Sequence, residues 1–310
     1  MSCLYGTDVT DERRGFLLGA AAYSMWGLFP LYWRLLVPAG AVEILAHRIA
    51  WSLLTMLVLT LALRRLPQLR GIFRDKRVLL LLLTAAAVIS VNWGGFIYGV
   101  NANRVVEVSL GYFINPLVTV LLGVLVLGER LRPRQWTAIG IATLAVVILT
   151  VDYGHPPWIA CLLAASFGTY GLAKKKANVE AVESLTFETL VLTPIALGYL
   201  LWLSASGHST FTGHGVGHAV LLATTGLVTA IPLICFGAAA IRIPMTTLGL
   251  LQYLAPTIQF VLGLVVFHEG MGLVQWIGFV LVWVALVLFT ADALRHRQTQ
   301  LRLTAEAAAI

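Results

Sequence analysis

Two prolines, Pro116 and Pro256, lie 140 residues apart, each in the middle of a long apolar stretch. The same shift brings other identities into register: Glu43 with Glu183, Leu45 with Leu185, Phe96 with Phe236, Gly123 with Gly263 and Glu129 with Glu269. Gln135-Trp136 also meets Gln275-Trp276, Thr150 meets Thr290, and Asp152 meets Asp292. The chain therefore reads as an internal duplication. Each copy holds an odd number of apolar spans, so the second must enter a bilayer upside down. Inverted repeats with helix interruptions at matching midplane depths are the sequence pattern of a secondary transporter, and the interruptions point to its binding site.

The 310 residues are 59% hydrophobic and 11% charged, whereas about a quarter of a soluble domain is charged. The apolar residues gather in runs of roughly 18–25, enough to cross hydrocarbon as helix. Ten such runs fall at 15–36, 41–63, 78–100, 106–128, 135–152, 157–174, 182–204, 217–240, 244–268 and 272–293. The expected fold is all-α and integral to the membrane, with ten transmembrane helices in two inverted five-helix repeats, 15–152 and 157–292. The turn-like segment Asp152-Tyr153-Gly154-His155-Pro156-Pro157 joins them, and a basic, mildly amphipathic tail at 294–310 is expected at the cytoplasmic surface. Too little chain remains outside the spans for a soluble domain.

Basic residues set the orientation. With a cytoplasmic N-terminus, the inside receives Arg13, Arg14, the loop Arg64–Arg77, Arg130, Arg132, Arg134, Lys174–Lys176, Arg242, Arg295, Arg297 and Arg302. The outside receives only Arg104, while Arg34 and Arg48 stay within spans. This asymmetry puts both termini in the cytoplasm. It also accounts for the net charge of +7 without nucleic-acid binding. The first span is too long for a signal-peptide core and is followed by nine more, so it is read as retained. Cys3, Cys161 and Cys235 are scattered and suggest neither a disulfide framework nor a metal cluster.

Pro116 and Pro256 sit about 14 and 18 Å into their spans from opposite sides. Each removes a helical hydrogen bond, which is tolerated at midplane depth where protein or a watery cavity compensates. They are read as kinks beside the cargo site. His47 and Arg48 lie in span two, and Glu188 is the shift mate of Arg48 in span seven. Ionisable groups this deep are costly unless paired or hydrated, so they read as pathway liners, binding groups or proton handlers, or else as a structural ion pair. Trp26, Asn92, Trp93, Tyr112, Asn115, Gln252 and Tyr253 mix aromatic and amide groups near the midplane, as suits a mostly apolar pocket with a few orienting polar groups. Glu43, Arg34, Trp33, Trp158 and Trp202 read as interfacial. His208, His214 and His218 fall in an outer loop with no carboxylate or cysteine beside them, and Gly213, Gly215 and Gly217 argue against an ordered helical pair. No metal site, cofactor, nucleophile motif or phosphate loop is expected.

The run Ser109-Leu110-Gly111-Tyr112-Phe113-Ile114-Asn115-Pro116, followed by Gly128-Glu129-Arg130, resembles the RarD-like branch of the EamA family, in the drug/metabolite transporter superfamily. Ala46-His47-Arg48 with Trp51-Ser52, Asn92-Trp93, and Gln252-Tyr253 with Pro256 extend the resemblance over about residues 15–292. It implies ten helices in two inverted repeats and export or exchange of small metabolites by alternating access, with a proton or counter-substrate as a coupling partner. Small multidrug members of the superfamily use a first-helix glutamate, and none stands between Gly15 and Leu36, so that mechanism is not carried over. Two other classes stay open: an intramembrane enzyme, for which His47 with Glu43 lacks a nucleophile, and a passive channel or receptor.

Overall fold

The computed structural model describes residues 9–308 except 103, 155 and 267–271. Among the described residues there is no strand, and the chain is almost entirely helical. The helices are α1 (Val9–Trp33), α2 (Ala41–Ala62), α3 (Leu66–Ile72), α4 (Lys76–Asn101), α5 (Val105–Leu127), α6 (Pro133–Tyr153) and α7 (Trp158–Ala177). They continue with α8 (Ala181–Ala205), α9 (Thr210–Gly213), α10 (Gly215–Arg242), α11 (Met245–Leu251), α12 (Leu254–Val265) and α13 (Leu273–Ala308).

Local chemistry sets the ends. At the close of α5, Gly128 takes φ +68°, a left-handed conformation that costs a glycine nothing, and the Glu129 N–H closes the turn on the Gly123 carbonyl at 3.1 Å. Helix α6 then opens with Pro133 in its first position, where no N–H is needed. The Gln135 side chain accepts from the Arg132 N–H at 2.9 Å.

Seven spans among the described residues are long and apolar enough to cross a membrane: α2, α4, α5, α6, α8, α10, and α11 with most of α12. The apolar part of α13, Leu273–Phe289, is shorter. Helices α1 and α7 fall outside this set. Tyr23, Ser24 and Tyr32 dilute the first, and Ser166, Thr169, Tyr170 and three lysines dilute the second. These two helices carry polar groups of the candidate site.

Four expectations change. The connection at 64–77 contains α3, whose Leu69 and Ile72 are buried against Leu82, Ala177 and Phe187. Span nine is two helices, parted at Gln252-Tyr253. The tail is no separate segment, since α13 runs on to Ala308. The outer histidine loop is also ordered: α10 begins at Gly215, and His218 lies buried on it, its ring 5.7 Å from that of His214.

Helices α4 and α5 pack on α7, while α10 and α12 pack on α1. Helix α2 packs on α8 and α10, α4 on α8, α5 on α11, and α6 on α13. Lipid tails are as apolar as leucine, so close packing must hold such helices together, and small residues permit it. Ala138, Ala142 and Ala145 form a fully buried stripe on α6 facing Val282 and Ala285 of α13. On α10, a Cβ added at Gly226 would run into the backbone of Trp51 on α2, where the Ser52 hydroxyl donates to the Gly226 carbonyl at 3.2 Å. Gly226→Ala should therefore destabilise by about 1–3 kcal/mol or more, the cost of overpacking where the obstacle is backbone. Gly140→Ala, in open space, should not. Thermal unfolding of both variants in detergent checks this, and equal midpoints would refute the tight α2–α10 crossing.

Candidate functional site

Arg48 lies seven residues into α2, about 10 Å below its first turn. Its Nε–H donates to Thr229 Oγ1 of α10 at 3.0 Å. Its guanidinium carbon stands 4.7 Å from the ring centre of Trp33 and 5.6 Å from that of Trp93. It also interacts electrostatically with Tyr32 and Tyr112. Helices α1, α2, α4, α5 and α10 thus converge on one cation. Tyr32 pins the end of α1 beside it, donating to the Leu221 carbonyl at 2.8 Å and pairing with the Thr224 hydroxyl at 2.9 Å. Among the described residues Arg48 makes no salt bridge. Arg48 is partly buried and Tyr112 is 36% exposed.

A second cluster is closed. The Lys174 ammonium donates to Glu188 Oε1 and to Ser184 Oγ, both at 2.5 Å. The Tyr170 hydroxyl donates to Glu188 Oε2 at 3.0 Å. All four residues are buried. Lys174 is therefore not one of the loop cations with which its sequence neighbours group it. One turn after Tyr170, it shares the inner face of α7. Lys175 instead donates to the carbonyls of Ala240 and Ile243 at 3.3 and 2.6 Å, capping the end of α10. The Tyr170 ring stacks on Phe236 at 5.6 Å and 11°. Phe236 also meets Tyr23, Trp26 and Phe167, so Trp26 belongs to this aromatic cluster.

The remaining sequence-predicted residues spread over helix crossings. The Asn92 amide donates to the Leu163 carbonyl at 2.9 Å and to Ser166 Oγ at 3.0 Å, tying α4 to α7. The Gln252 amide donates to Thr119 Oγ1 at 2.9 Å, and the Tyr253 hydroxyl to the Phe113 carbonyl at 3.4 Å. Both tie the α11–α12 junction to α5. Pro256 is the third residue of α12, and its ring opposes the carbonyl four residues back, that of Gln252. There the backbone uses the shorter bonds Gln252 N–H to Gly249 and Tyr253 N–H to Leu250. Pro116, by contrast, lies within an uninterrupted α5 and frees the Tyr112 carbonyl. His47 Nε2 and Asn115 Oδ1 are buried without a hydrogen-bond partner, while the Tyr23 hydroxyl lies beside the Gln252 side chain. Native structures leave few such groups.

His47 turns away from Arg48 and stacks on Phe211 at 4.9 Å and 22°. Glu43 accepts from the Thr210 N–H at 2.7 Å, the Thr210 hydroxyl at 3.0 Å and the Ser209 hydroxyl at 3.4 Å. Thr210 in turn pairs with His218 Nε2 at 3.0 Å. The structure thus brings Arg48, Trp93 and Tyr112 together and adds Trp33, Tyr32 and Thr229, which sequence reasoning passed over. Trp33 at a span end reads as an anchor, and a lone threonine in an apolar run carries no signal. Lys174 was hidden in a run of three lysines.

A bundle of apolar helices folded around a deep cation defines a multi-pass membrane protein. The pattern of the EamA-like transporter family matches residues 13–151 and again 157–291. Protein RarD of Streptomyces exfoliatus is 60% identical, over 96% of this chain and 95% of that one. An uncharacterized transporter of Vibrio cholerae is 42% identical, over 93% and 95% of the two chains. The chloramphenicol-sensitive protein RarD of Pseudomonas aeruginosa is 30% identical, over 93% and 97%. One solved crystal structure, 18% identical, aligns with a TM-score of 0.69 over 90% of this chain and 98% of that one, a likeness of fold. The chain belongs to the EamA-like transporter family, as a RarD-like member, and is a membrane transporter of the drug/metabolite superfamily.

The buried pair gives a thermodynamic test. Lys174→Met strands the Glu188 carboxylate and should cost about 3–5 kcal/mol. Combining it with Glu188→Leu should recover most of that loss. Thermal unfolding of the single and double variants checks the coupling; additive losses would mean that the two side chains do not act as a pair.

Proposed function

We propose that the chain is a ten-helix secondary transporter of the bacterial cytoplasmic membrane, exporting a small metabolite or drug-like molecule by alternating access. Its two inverted five-helix repeats span 15–152 and 157–292, with both termini cytoplasmic. The observation that carries this reading is the pairing of the helices. Let α1, α2, α4, α5 and α6 correspond to α7, α8, α10, α11–α12 and α13. Exchanging the two sets turns α4 on α7 into α10 on α1, α5 on α7 into α12 on α1, and α4 on α8 into α10 on α2. The pairs α2–α8, α5–α11 and α6–α13 map onto themselves. Packing that survives the exchange is what two copies related by a two-fold axis in the membrane plane require. The two family matches fall on the same halves.

The cargo path in this reading runs between the halves. Arg48, Trp93 and Tyr112 line its outer part. Trp26, His47, Asn92 and Asn115 flank it, and the Pro256 break with Gln252 and Tyr253 lies beside its centre. Lys174 and Glu188 close the cytoplasmic part. Arg48 and Tyr112 keep accessible surface while Tyr170, Lys174 and Glu188 have almost none, which suits an outward-facing state. Arg242 adds to the closure, bridging Asp11 of α1 and Glu180 ahead of α8 at 3.0 Å each. Access from the cytoplasm needs these contacts to part, and Glu188 becomes available to a coupling proton or to cargo as they do. The chloramphenicol sensitivity in one relative's name supports cargo of drug-like size.

The test is transport by purified protein in proteoliposomes, screened against amino acids, vitamins, organic acids and antibiotics. At least one compound should cross saturably, and Glu188→Gln should cut its flux by about tenfold at equal insertion, the loss expected for a hydrogen bond to a charged group. Wild-type flux in a well-inserted Glu188→Gln variant removes Glu188 from the mechanism. Saturable binding with no flux would indicate a receptor, and chemically altered compound an enzyme.

A further inference from the structure

Among the described residues, the deep charges are not all paired with one another. Glu188 is taken by Lys174, Ser184 and Tyr170. Glu43 is taken by the start of α9. Arg48 has no acidic partner among the described residues, and of its five N–H donors only Nε–H makes a hydrogen bond there. The four Nη–H donors are left. Trp33 and Trp93 lie against the cation and Thr229 fixes its Nε edge, so the fork is held while its Nη edge keeps its donors unused and the side chain stays only partly buried. That edge matches the two oxygens of a carboxylate.

The duplication sharpens the point. Shifted by 140 residues, Glu188 corresponds to Arg48 and Lys174 corresponds to Arg34. The second copy places a cation and an anion at these positions and joins them. The first copy places a cation at both, so the residue at the partner's position cannot neutralise Arg48. The surrounding rings, Tyr32, Trp33, Trp93 and Tyr112, offer apolar walls that an inorganic ion does not need and an organic body does.

We infer that Arg48 receives an anionic group of the cargo, a carboxylate held by the free Nη edge, with the apolar or aromatic body of the molecule against Trp33, Trp93 and Tyr112. This rests on the transporter reading, and it narrows the cargo to organic acids, amino acids among them.

Isothermal titration calorimetry on the purified full chain, in chloride-free buffer, tests it with matched probes: phenylacetate, phenylacetamide and phenethylamine, and indole-3-acetate, indole-3-acetamide and tryptamine. The acids should bind, and their amides and amines should bind at least tenfold more weakly. Arg48→Gln should weaken the acids by about 10- to 100-fold, the value of hydrogen bonds to a charged group. Arg48→Lys, which keeps the charge but not the planar fork, should fall between. Where Arg48→Gln fails to insert, Arg48→Lys decides. Three results overturn the inference: acid affinity unchanged in both variants, no binding by either acid, or amides or amines binding as well as the acids. Displacement of the acids by chloride or inorganic phosphate at equal strength overturns it too, leaving an adventitious ion site only. Flux in proteoliposomes separates this from the parent reading. Arg48-dependent binding of acids that never cross keeps the anion site and sinks the transporter. Saturable flux of neutral compounds, with no binding of acids, does the reverse.

Discussion

The bond between Lys174 and Glu188 governs the electrostatics of the whole bundle. Either charge alone would be expensive at this depth. At 2.5 Å, with Ser184 and Tyr170 satisfying what remains, the two become a neutral link between α7 and α8. Through the stacked ring of Tyr170 the same link reaches Phe236 on α10 and the aromatic face of α1. Four helices are therefore held in register around a pair that is stable only while both partners are present. A device of that kind suits a part that must either be fully closed or come apart cleanly. A patch of graded apolar contact would yield gradually instead.

The other glutamates show a different economy. Glu107 accepts from the Ile159 N–H at the start of α7 at 2.7 Å. Glu129 accepts from the Met245 and Thr246 N–H groups at the start of α11 at 2.7 and 2.9 Å. Glu43 does the same for α9. The first turns of a helix carry orphan donors and a partial positive charge, and a carboxylate from another helix meets both needs. Helix starts near the bundle ends are thereby anchored by long-range partners, where water would compete with a local cap. These carboxylates are spoken for, which is why acidic residues in a chain like this mark its joints more often than its site.

Much of the architecture was legible because the bilayer imposes coarse rules. Apolar length located a helix for every expected span. What stayed hidden needed distance information. Glu43 and Thr210 are 167 residues apart, and nothing local in a glycine-rich loop says that a carboxylate will order it. Lys174 looked like a loop cation because hydropathy averages over a helix and ignores which face a residue takes. Asn92, Gln252 and Tyr253 have the composition of a binding site, yet they serve as helix cross-links, a use that composition cannot separate from ligand contact. Arg48 was legible as deep and charged. That it has no acidic partner among the described residues could be seen only from the folded arrangement.

The two prolines that expose the duplication also show how the copies have parted. Pro256 stands beside the junction of α11 and α12, where the N–H groups of Gln252 and Tyr253 bond three residues back. Pro116 sits inside a continuous α5 and frees a single carbonyl, that of Tyr112. The charges diverge in the same sense, an ion pair in one copy and two arginines in the other. A scaffold that alternates access needs its halves nearly interchangeable, because each must be able to take the other's packing role. Cargo recognition needs the opposite, since a symmetric site would present the same groups twice. In the proposed arrangement the helix pairing keeps the symmetry, while Arg48, Glu188 and the α11–α12 junction depart from it. On the proposed reading, residues that break the repeat are where cargo chemistry would be concentrated.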